Sequence, residues 1–284
     1  MEKQKRVAAI HDISGFGKCS LTVALPVISA AGIETSVVPT AILSTHTGGI
    51  NGYTFRDLTE DIEPFYKHWH SLGLTFDAIY SGYLGSEQQI QQVMNIIDTF
   101  KTDENFVLVD PAMADNGKMY ALFDLNFAKS MRHLCKKADI IVPNITESIF
   151  MLGMEYKEGP YTKDYIESLL YKLGELGPRK IVLTGVYFDN KTLGAACLDT
   201  QTKIIDYCFR DRIDGMYHGT GDVFASALTA ALVKGKSLSS ATEIAVDFTV
   251  DSIRRTAAGG TDHCYGVDFE RGLKDLITAL ADQN

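Results

Sequence analysis

Strand and helix signals alternate along most of this 284-residue chain, and that alternation limits the folds that it can adopt. Strands are predicted at Arg6–Ile10, Ile33–Pro39, Ala78–Tyr80, Phe106–Val109, Ile140–Val142 and Ile181–Leu183, and helices at Cys19–Ala31, Glu87–Phe100, Tyr161–Leu176, Val223–Val233 and Leu238–Arg255. A hairpin is predicted within residues 186–210, with its turn at Asp189–Lys191. This pattern is typical of a parallel sheet covered by helices. We predict one α/β domain, residues 1–284, with a mostly parallel central sheet and a small flap within residues 37–55.

Composition and charge exclude several classes of partner. The 45% hydrophobic and 22% charged residues are typical of an ordinary globular protein, and the net charge of −9 argues against a nucleic-acid surface. No apolar run approaches the roughly 20 residues of a membrane span, and residues 1–6 are not followed by a signal-peptide core. The five cysteines are dispersed without metal-ligand spacing, which indicates reduced thiols. We therefore expect a cytoplasmic protein that binds neither nucleic acid nor a membrane.

Polar segments follow the predicted strands. They are Asp12 with Ser14, Thr45 with His46, Ser81–Gly85, Asp110–Asp115, Pro143–Glu147 and Thr184 with Gly185. Ligands of open parallel sheets bind beyond the carboxyl ends of the strands. We therefore expect these segments to meet at one edge of the sheet and to form a ligand site.

The stretch Tyr217–Leu228 passes from small polar residues directly into an Ala-rich helical pattern. Gly219 and Gly221 permit close backbone approach, so the N–H groups of this turn can converge at a helix start, where an anion is favoured. Asp222 then has two alternative roles. It is either an ordinary helix cap or a base that takes a proton from a hydroxyl group beside the anion.

The common phosphate-binding motifs are absent from the sequence. The P-loop pattern that would end at Gly235-Lys236-Ser237 fails at Ala230, and the dinucleotide pattern that starts at Gly15 fails at Ser20. The protein-kinase HRD and DFG motifs are missing as well. If the chain is a kinase, the turn Gly219–Asp222 is the available phosphate cradle.

Gly219-Thr220-Gly221-Asp222 resembles the anion-hole signature of the ribokinase superfamily. Other segments resemble its pyridoxal/pyridoxamine kinase branch, namely Asp110–Asp115, Asn144-x-x-Glu147, Thr184-Gly185 and Ser44–Gly48. The resemblance runs from Val7 to about Leu280. It implies a three-layer α/β/α ribokinase-like fold and an enzyme that is usually homodimeric. The implied activity is ATP-dependent phosphorylation of the 5′-hydroxymethyl group of a B6 vitamer.

The resemblance assigns the groups of phosphoryl transfer to the Gly-rich turn. Asp222 would be the catalytic base, and the backbone N–H groups of Gly219, Thr220 and Gly221 would stabilise the transferred phosphoryl group.

The nucleotide and its cation would be bound by residues from the middle of the chain, namely Asp110, Asp115, Asn144, Glu147, Thr184 and Gly185. Glu147 with Asn144 or Asp110 would manage Mg²⁺, and a monovalent cation is left open. The local pattern alone fits a capping box at Asn144 and Glu147 equally well. The family's adenine loop would lie in the C-terminal region that includes Ala257–Thr261.

Five residues are implied for the acceptor, namely Asp12, Ser14, Thr45, His46 and Tyr83. His46 would stack on a pyridine ring or hydrogen-bond to it, Thr45 would reach a ring substituent, and Tyr83 would line the pocket. Thr45 replaces an Asn of the branch, and Asp12 replaces a Ser. Whether Asp12 or Ser14 contacts the substrate therefore stays open, together with the preferred vitamer.

Other functions fit parts of the same pattern. A hydroxymethylpyrimidine kinase of thiamine synthesis shares the fold, the base and a flat heteroaromatic alcohol as substrate, and its N-terminal loop is Gly/Asp-rich like residues 12–17. A catalytically silent nucleotide- or vitamin-binding sensor would share the fold, although the intact Gly219–Asp222 turn argues against it. A sugar kinase is disfavoured because Ser44–Gly48 favours an aromatic acceptor.

Overall fold

The structure is a computed structural model that describes residues 3–260 and 263–281. The strands are β1 (Arg6–Phe16), β2 (Glu34–Thr45), β3 (Phe55–Asp57), β4 (Ala78–Ser81), β5 (Phe106–Val109), β6 (Ala114–Asp115), β7 (Lys118–Met119), β8 (Ile140–Ile141), β9 (Lys180–Val186), β10 (Thr192–Asp199) and β11 (Ile204–Asp211). The helices are α1 (Leu21–Ala30), α2 (Thr59–Ser71), α3 (Glu87–Phe100), α4 (Leu125–Lys137), α5 (Ile145–Leu152), α6 (Lys163–Gly174), α7 (Thr220–Val233), α8 (Leu238–Gly259) and α9 (Leu273–Ala281).

Nine of the strands hydrogen-bond in the order β11-β10-β9-β8-β5-β4-β1-β2-β3. The pairs β1–β2, β5–β8 and β8–β9 are parallel, whereas β2–β3, β9–β10 and β10–β11 are antiparallel. The predicted α/β fold with a large, mostly parallel sheet flanked by helices is confirmed, and so is the hairpin after β9. No helix within the described ranges is long and apolar enough to cross a membrane.

The chain divides into two compact units, residues 1–80 with 213–284 and residues 81–212. In the first unit, β1 is buried from Val7 to Asp12, and α7 is almost fully buried from Val223 to Val233. The Ala-rich sequence of α7 explains this, because a helix that is apolar on all sides belongs in a core. The second unit contains the amphipathic helices α3 and α4 and the hairpin of β10 and β11. The prediction of one domain with a flap within residues 37–55 stays a prediction.

Several strands are longer than the sequence pattern predicted. β1 pairs with β2 as far as Phe16 and Thr45, with an irregularity between His11 and Ile13, so Asp12 and Ser14 lie within the strand and not after it. Thr184 and Gly185 likewise lie within β9. The expectation that these polar residues follow their strands was wrong, as it was for Thr45 at the end of β2, because pairing with neighbouring strands carries each strand past its apolar run.

His11 is a buried titratable side chain in the middle of β1. Its ring lies edge-on to Tyr80 at a centroid distance of 4.4 Å, and neither ring nitrogen has a hydrogen-bond partner among the described residues. Burial lowers the pKa of His11 to about 3 from an ordinary value of 6.5. The unfolded chain therefore binds more protons than the folded protein between about pH 6.5 and pH 3. The stability contribution of neutral His11 is lost progressively as the pH falls through this window.

We expect His11→Phe to flatten the acid limb of stability, because a phenyl ring fills a similar volume and does not titrate. Below about pH 6.5 the wild-type free energy of unfolding should fall relative to the variant by up to about 1.4 kcal/mol per pH unit. Urea unfolding of both proteins at pH 7, 6 and 5 measures the difference. His133→Gln, on the exposed surface of α4, is the control. Parallel pH profiles for wild type and His11→Phe would contradict this account of His11.

Candidate active site

Asp222 lies in the first turn of α7, three residues after Gly219, which occupies the N-cap position. Its carboxyl group is half-buried, and the backbone N–H of Ser20 faces it. Burial is the largest influence and raises the pKa of Asp222 to about 7, with the Ser20 N–H lowering it and repulsion from Asp12 raising it further. A carboxylate with this pKa is suited to accept a proton near neutral pH. The alternative that Asp222 caps the helix is not supported, because the N-cap residue is Gly219.

The two glycines of the turn have different structural roles. Gly219 has a left-handed backbone with φ 74°, and a Cβ atom on it would lie 1.9 Å from the carbonyl oxygen of Lys18. Gly221 has no atom within 4 Å of its Cβ position. Gly219 therefore lets the turn pack directly against the residues before α1, whereas Gly221 leaves the helix start open. The first N–H groups of a helix have no acceptor within it, so this opening can bind an anion.

Asp12 is a buried acid of β1 that lies close to Asp222. The hydroxyl of Ser14 donates to Asp12 Oδ2 at 3.2 Å, and the hydroxyl of Ser20 also faces this carboxyl group. Burial raises the pKa of Asp12, and the two hydroxyl groups and the nearby His46 lower it to a smaller extent. Sequence reasoning left Asp12 and Ser14 as alternative contacts, and the structure joins them by a hydrogen bond.

His46 follows β2 and is fixed by the backbone. The N–H of Gly48 donates to His46 Nδ1 at 3.1 Å, so Nε2 carries the proton and donates to the carbonyl oxygen of Cys264 at 2.6 Å. The ring of His218 lies 5.2 Å from the ring of His46. Because both ring nitrogens of His46 are engaged in hydrogen bonds, its ring can stack on a pyridine ring but has no free nitrogen to hydrogen-bond to one. The buried hydroxyl oxygen of the neighbouring Thr45 has no hydrogen-bond partner among the described residues.

In the second unit, Asn144 and Glu147 form the capping box of α5. Glu147 Oε2 accepts from the N–H of Asn144 at 2.8 Å, and Asn144 Oδ1 accepts from the N–H of Glu147 at 2.9 Å. Glu147 Oε1 also accepts from the N–H of Met113 at 3.2 Å, which ties α5 to the segment after β5. The structure thus confirms the capping alternative, and the ligand role of Glu147 stays a prediction.

Asp110 and Glu147 form a pair of buried acids. Burial is the main cause that raises the pKa of Glu147 well above its usual range, and repulsion from Asp110 adds to it. Asp115 is exposed on β6 and accepts hydrogen bonds from the backbone and side chain of Asn116. Within residues 3–260 and 263–281, no group of three or more His, Cys, Asp or Glu side chains has the arrangement of a metal site.

The remaining predicted residues lie at three places. The N–H of Thr184 donates to the carbonyl oxygen of Pro143 at 3.0 Å, and Gly185 has φ 74° with open space at its Cβ position. Tyr83 packs against Phe123 at a ring distance of 5.5 Å. Residues 257–260 lie at the C-terminal end of α8, and Thr261 lies outside the described residues.

A family model described as phosphomethylpyrimidine kinase matches residues 24–266 of the chain. The chain belongs to the phosphomethylpyrimidine kinase family. This family is part of the ribokinase-like superfamily, so the predicted superfamily and its kinase character are confirmed.

Solved structures of similar proteins match this chain over nearly its whole length. A protein from Bacteroides thetaiotaomicron VPI-5482, named as a candidate phosphomethylpyrimidine kinase, is 37% identical, with a TM-score of 0.93 over 97% of this chain and 94% of that chain. Its orthorhombic crystal form contains pyridoxal, with 36% identity and a TM-score of 0.92 over 96% of each chain. A pyridoxal kinase from Lactobacillus plantarum is 30% identical, with a TM-score of 0.89 over 97% of this chain and 98% of that chain.

Curated relatives of this phosphomethylpyrimidine kinase family member include both kinds of kinase. A hydroxymethylpyrimidine/phosphomethylpyrimidine kinase from Bacillus subtilis strain 168 is 26% identical over 227 residues, which cover 79% of this chain and 80% of that protein. A pyridoxine/pyridoxal/pyridoxamine kinase from Bordetella avium strain 197N is 26% identical over 260 residues, which cover 88% and 85%. Membership of this family therefore establishes that the chain is a kinase. It does not distinguish a pyrimidine alcohol from a B6 vitamer as the substrate.

Sequence reasoning assigned no function to three residues beside the proposed base of this kinase. Ser20 was noted only where it breaks the GxGxxG pattern, Cys19 only as one of the dispersed cysteines, and His218 only as part of the Gly-rich stretch. The short spacing between Gly17 and the start of α1 was the available signal that Ser20 lies in a tight turn. Its backbone conformation could not be predicted, because the segment before it packs against Gly219, which is distant in the sequence.

Proposed function

We propose that this kinase transfers the γ-phosphoryl group of ATP to the 5′-hydroxymethyl group of a B6 vitamer. The observation that carries the proposal is Asp222, a carboxylate with a pKa near 7 beside an open, Gly-lined helix start. The first unit also contains Thr45 and His46, whose hydroxyl and ring suit a polar aromatic alcohol. The pyridoxal in the crystal of the Bacteroides relative, at 36% identity, supports the same acceptor class.

Each group of the first unit has a defined role in the proposed transfer. Asp222 accepts the proton of the alcohol while the alcohol oxygen forms a bond to the γ-phosphorus. The bond from that phosphorus to the β–γ bridging oxygen breaks, and ADP leaves with the electron pair. The backbone N–H groups at Gly219, Thr220 and Gly221 stabilise negative charge on the transferred group. Asp12 with Ser14 binds the polar edge of the ring, and Thr45 binds a ring substituent.

The acids of the second unit fit a divalent cation. Asp110 and Glu147 are buried next to each other, and a positive ion would relieve their mutual repulsion. Both oxygens of Glu147 accept backbone N–H bonds, so contact through water suits it better than direct coordination. Mg²⁺ held there with Asn144 would neutralise charge on the triphosphate, and Thr184 with Gly185 would adjoin the phosphates.

We expect Mg²⁺ to stabilise the wild-type protein more than an Asp110→Asn variant. Removal of one charge should raise the melting temperature without metal, because the repulsion with Glu147 disappears, and should reduce the increase that Mg²⁺ produces. Thermal melts with 0 and roughly 10 mM Mg²⁺ measure both effects. A site that binds Mg²⁺ with a Kd of about 0.1 mM would stabilise the folded protein by about 2.7 kcal/mol at this concentration. Asp103→Asn, on an exposed turn, is the control. An equal Mg²⁺ response in wild type and Asp110→Asn would contradict this cation site.

A second candidate function is phosphorylation of hydroxymethylpyrimidine or its phosphate, because the family model and the Bacillus subtilis relative carry that name. Turnover of ATP should be measured with pyridoxal, pyridoxamine, pyridoxine, hydroxymethylpyrimidine, its phosphate and ribose. The proposal predicts the highest kcat/KM for a B6 vitamer and negligible turnover of ribose. Preference for the pyrimidine would select the second candidate, and no turnover of any alcohol would favour a silent sensor. The homodimer and the cytoplasmic location stay predictions.

A further inference from the structure

Ser20 adopts a backbone conformation that serine rarely adopts. It has φ 55° and ψ −129° at the N-cap position of α1, and its side chain is 5% exposed. Non-glycine residues in this region are strained, and such strain persists where the surrounding structure imposes it and often has a functional role. Within residues 3–260 and 263–281, Asn116 and Lys203 are the other non-glycine residues with positive φ, and both lie at turns of exposed hairpins. Ser20 is the buried member of this set.

The polar groups of Ser20 have an unusual set of neighbours for an N-cap serine. Serine is a favoured N-cap because its hydroxyl normally accepts from the first turn of the helix, yet the Ser20 hydroxyl makes no such bond. The hydroxyl instead faces the carboxyl group of Asp12 and lowers its pKa, and the backbone N–H faces the carboxyl group of Asp222 and lowers its pKa. The carbonyl oxygen of Ser20 still accepts from the helix, from the N–H groups of Val23 and Ala24.

The segment before α1 is fixed from two sides. The carbonyl oxygen of Lys18 packs where a Cβ of Gly219 would be, and Cys19 Sγ is 3.4 Å from the same position. The N–H of Lys18 donates to the carbonyl oxygen of Tyr265 at 3.1 Å. Ser20 also forms an antiparallel bridge with Ile13 of β1. These contacts restrain the backbone on both sides of Ser20.

We propose that Ser20 is a positioning residue, whose strained backbone directs its N–H at the carboxylate of Asp222 while its hydroxyl holds Asp12. This inference rests on the proposed role of Asp222 as the base. One oxygen of Asp222 is then fixed and the carboxylate is oriented, while Asp12 is kept from rotating towards it. The ionisable groups that face Asp222 are Asp12 from β1 and Cys19 from the segment before α1, and His46 faces Asp12 from beyond β2.

Two substitutions separate the backbone from the hydroxyl. Ser20→Gly relieves the strain but lets the N–H rotate and removes the hydroxyl, whereas Ser20→Ala removes the hydroxyl alone and keeps the backbone restrained. We expect Ser20→Gly to lower kcat roughly tenfold or more, to change KM less, and to leave the melting temperature equal or higher. Ser20→Ala should have a smaller effect on kcat. Ser237, the conventional N-cap of α8 with φ −62°, provides the control, because Ser237→Gly should lower stability and leave kcat unchanged.

A direct measurement of the Asp222 carboxyl pKa tests the inference independently of activity. With ¹³C-labelled aspartate, the titration of Asp222 should move to higher pH in Ser20→Gly, since the ionised form loses a donor, and the acid limb of the kcat profile should move with it. Ser20→Ala should shift the titration less than Ser20→Gly. An Asp222 titration in Ser20→Gly equal to that of wild type would overturn the proposal, whatever the activity. Wild-type kcat in Asp222→Asn would refute the role of Asp222 as the base. The titration of Asp222 would still test whether Ser20 orients its carboxyl group.

Discussion

Asp222→Asn is expected to reduce kcat by roughly 10²–10⁴-fold, because an amide cannot accept the proton of the attacking alcohol. The affinity for ATP should change little, since the backbone N–H groups of Gly219, Thr220 and Gly221 remain in place. In wild type, kcat should rise with pH through about 7 as Asp222 loses its proton. The variant should lose this limb of the profile. Steady-state kinetics with pyridoxal and calorimetric titration of ATP measure the two effects.

The stability of Asp222→Asn provides an independent check on the environment of this carboxyl group. The folded pKa is raised, so protonated Asp222 stabilises the fold at low pH, and this contribution is lost as the pH rises through about 7. At pH 8 the variant should therefore melt at the same or a higher temperature than wild type. Asp214→Asn, on the exposed connection before α7, should keep wild-type kcat. If Asp222→Asn retained wild-type turnover, Asp222 would not be the base.

Gly219→Ala should be the second most damaging substitution in the first unit. Its left-handed backbone alone costs about 1–3 kcal/mol for a residue with a side chain, and the new methyl group would overlap the carbonyl oxygen of Lys18. Displacement of the turn should remove donors from the phosphoryl site, each worth roughly 10²–10³-fold in rate. Thermal melts and kcat should both fall in this variant.

Gly221→Ala is the matched control, because its Cβ would meet no atom within 4 Å and alanine favours a helix. Its melting temperature should equal or exceed that of wild type, while the KM for ATP should rise because the methyl group enters the proposed phosphate site. Equal stability of Gly219→Ala and Gly221→Ala would contradict the packing of the turn. Equal KM for ATP in Gly221→Ala and wild type would place the phosphates elsewhere.

The sequence pattern predicted the parts of the fold that local composition determines. β5, α3 and the start and end of the hairpin after β9 match their predictions within a few residues, because their apolar periodicity coincides with their burial. Helices α2 and α4 were given no bounds in the sequence analysis. α2 has a mean hydropathy close to zero and an internal Pro64, and α4 carries several charged residues among its apolar ones. Both helices nevertheless bury one apolar face, so their periodicity was present in the sequence and was not used.

The candidate site shows the same limit. Asp222 and Gly219 were predicted from the resemblance and from the needs of an anion at a helix start. Ser20 was not, because the segment before it packs against Gly219, which is distant in the sequence. Glu147 was predicted both as a capping residue and as a cation ligand, and the structure supplies the first role directly. Side-chain chemistry could thus be predicted, whereas the backbone that orients it could not.

The most direct test of phosphoryl transfer by Asp222 follows both products at once. ADP and pyridoxal 5′-phosphate should be quantified in single-turnover reactions of wild type and Asp222→Asn at pH 8, where the wild-type carboxylate is mostly ionised. We predict one phosphorylated vitamer for each ADP in wild type and a rate at least about 10²-fold lower for both products in the variant. Formation of pyridoxal 5′-phosphate at the wild-type rate by Asp222→Asn, or of ADP without phosphorylated vitamer by wild type, would contradict the mechanism.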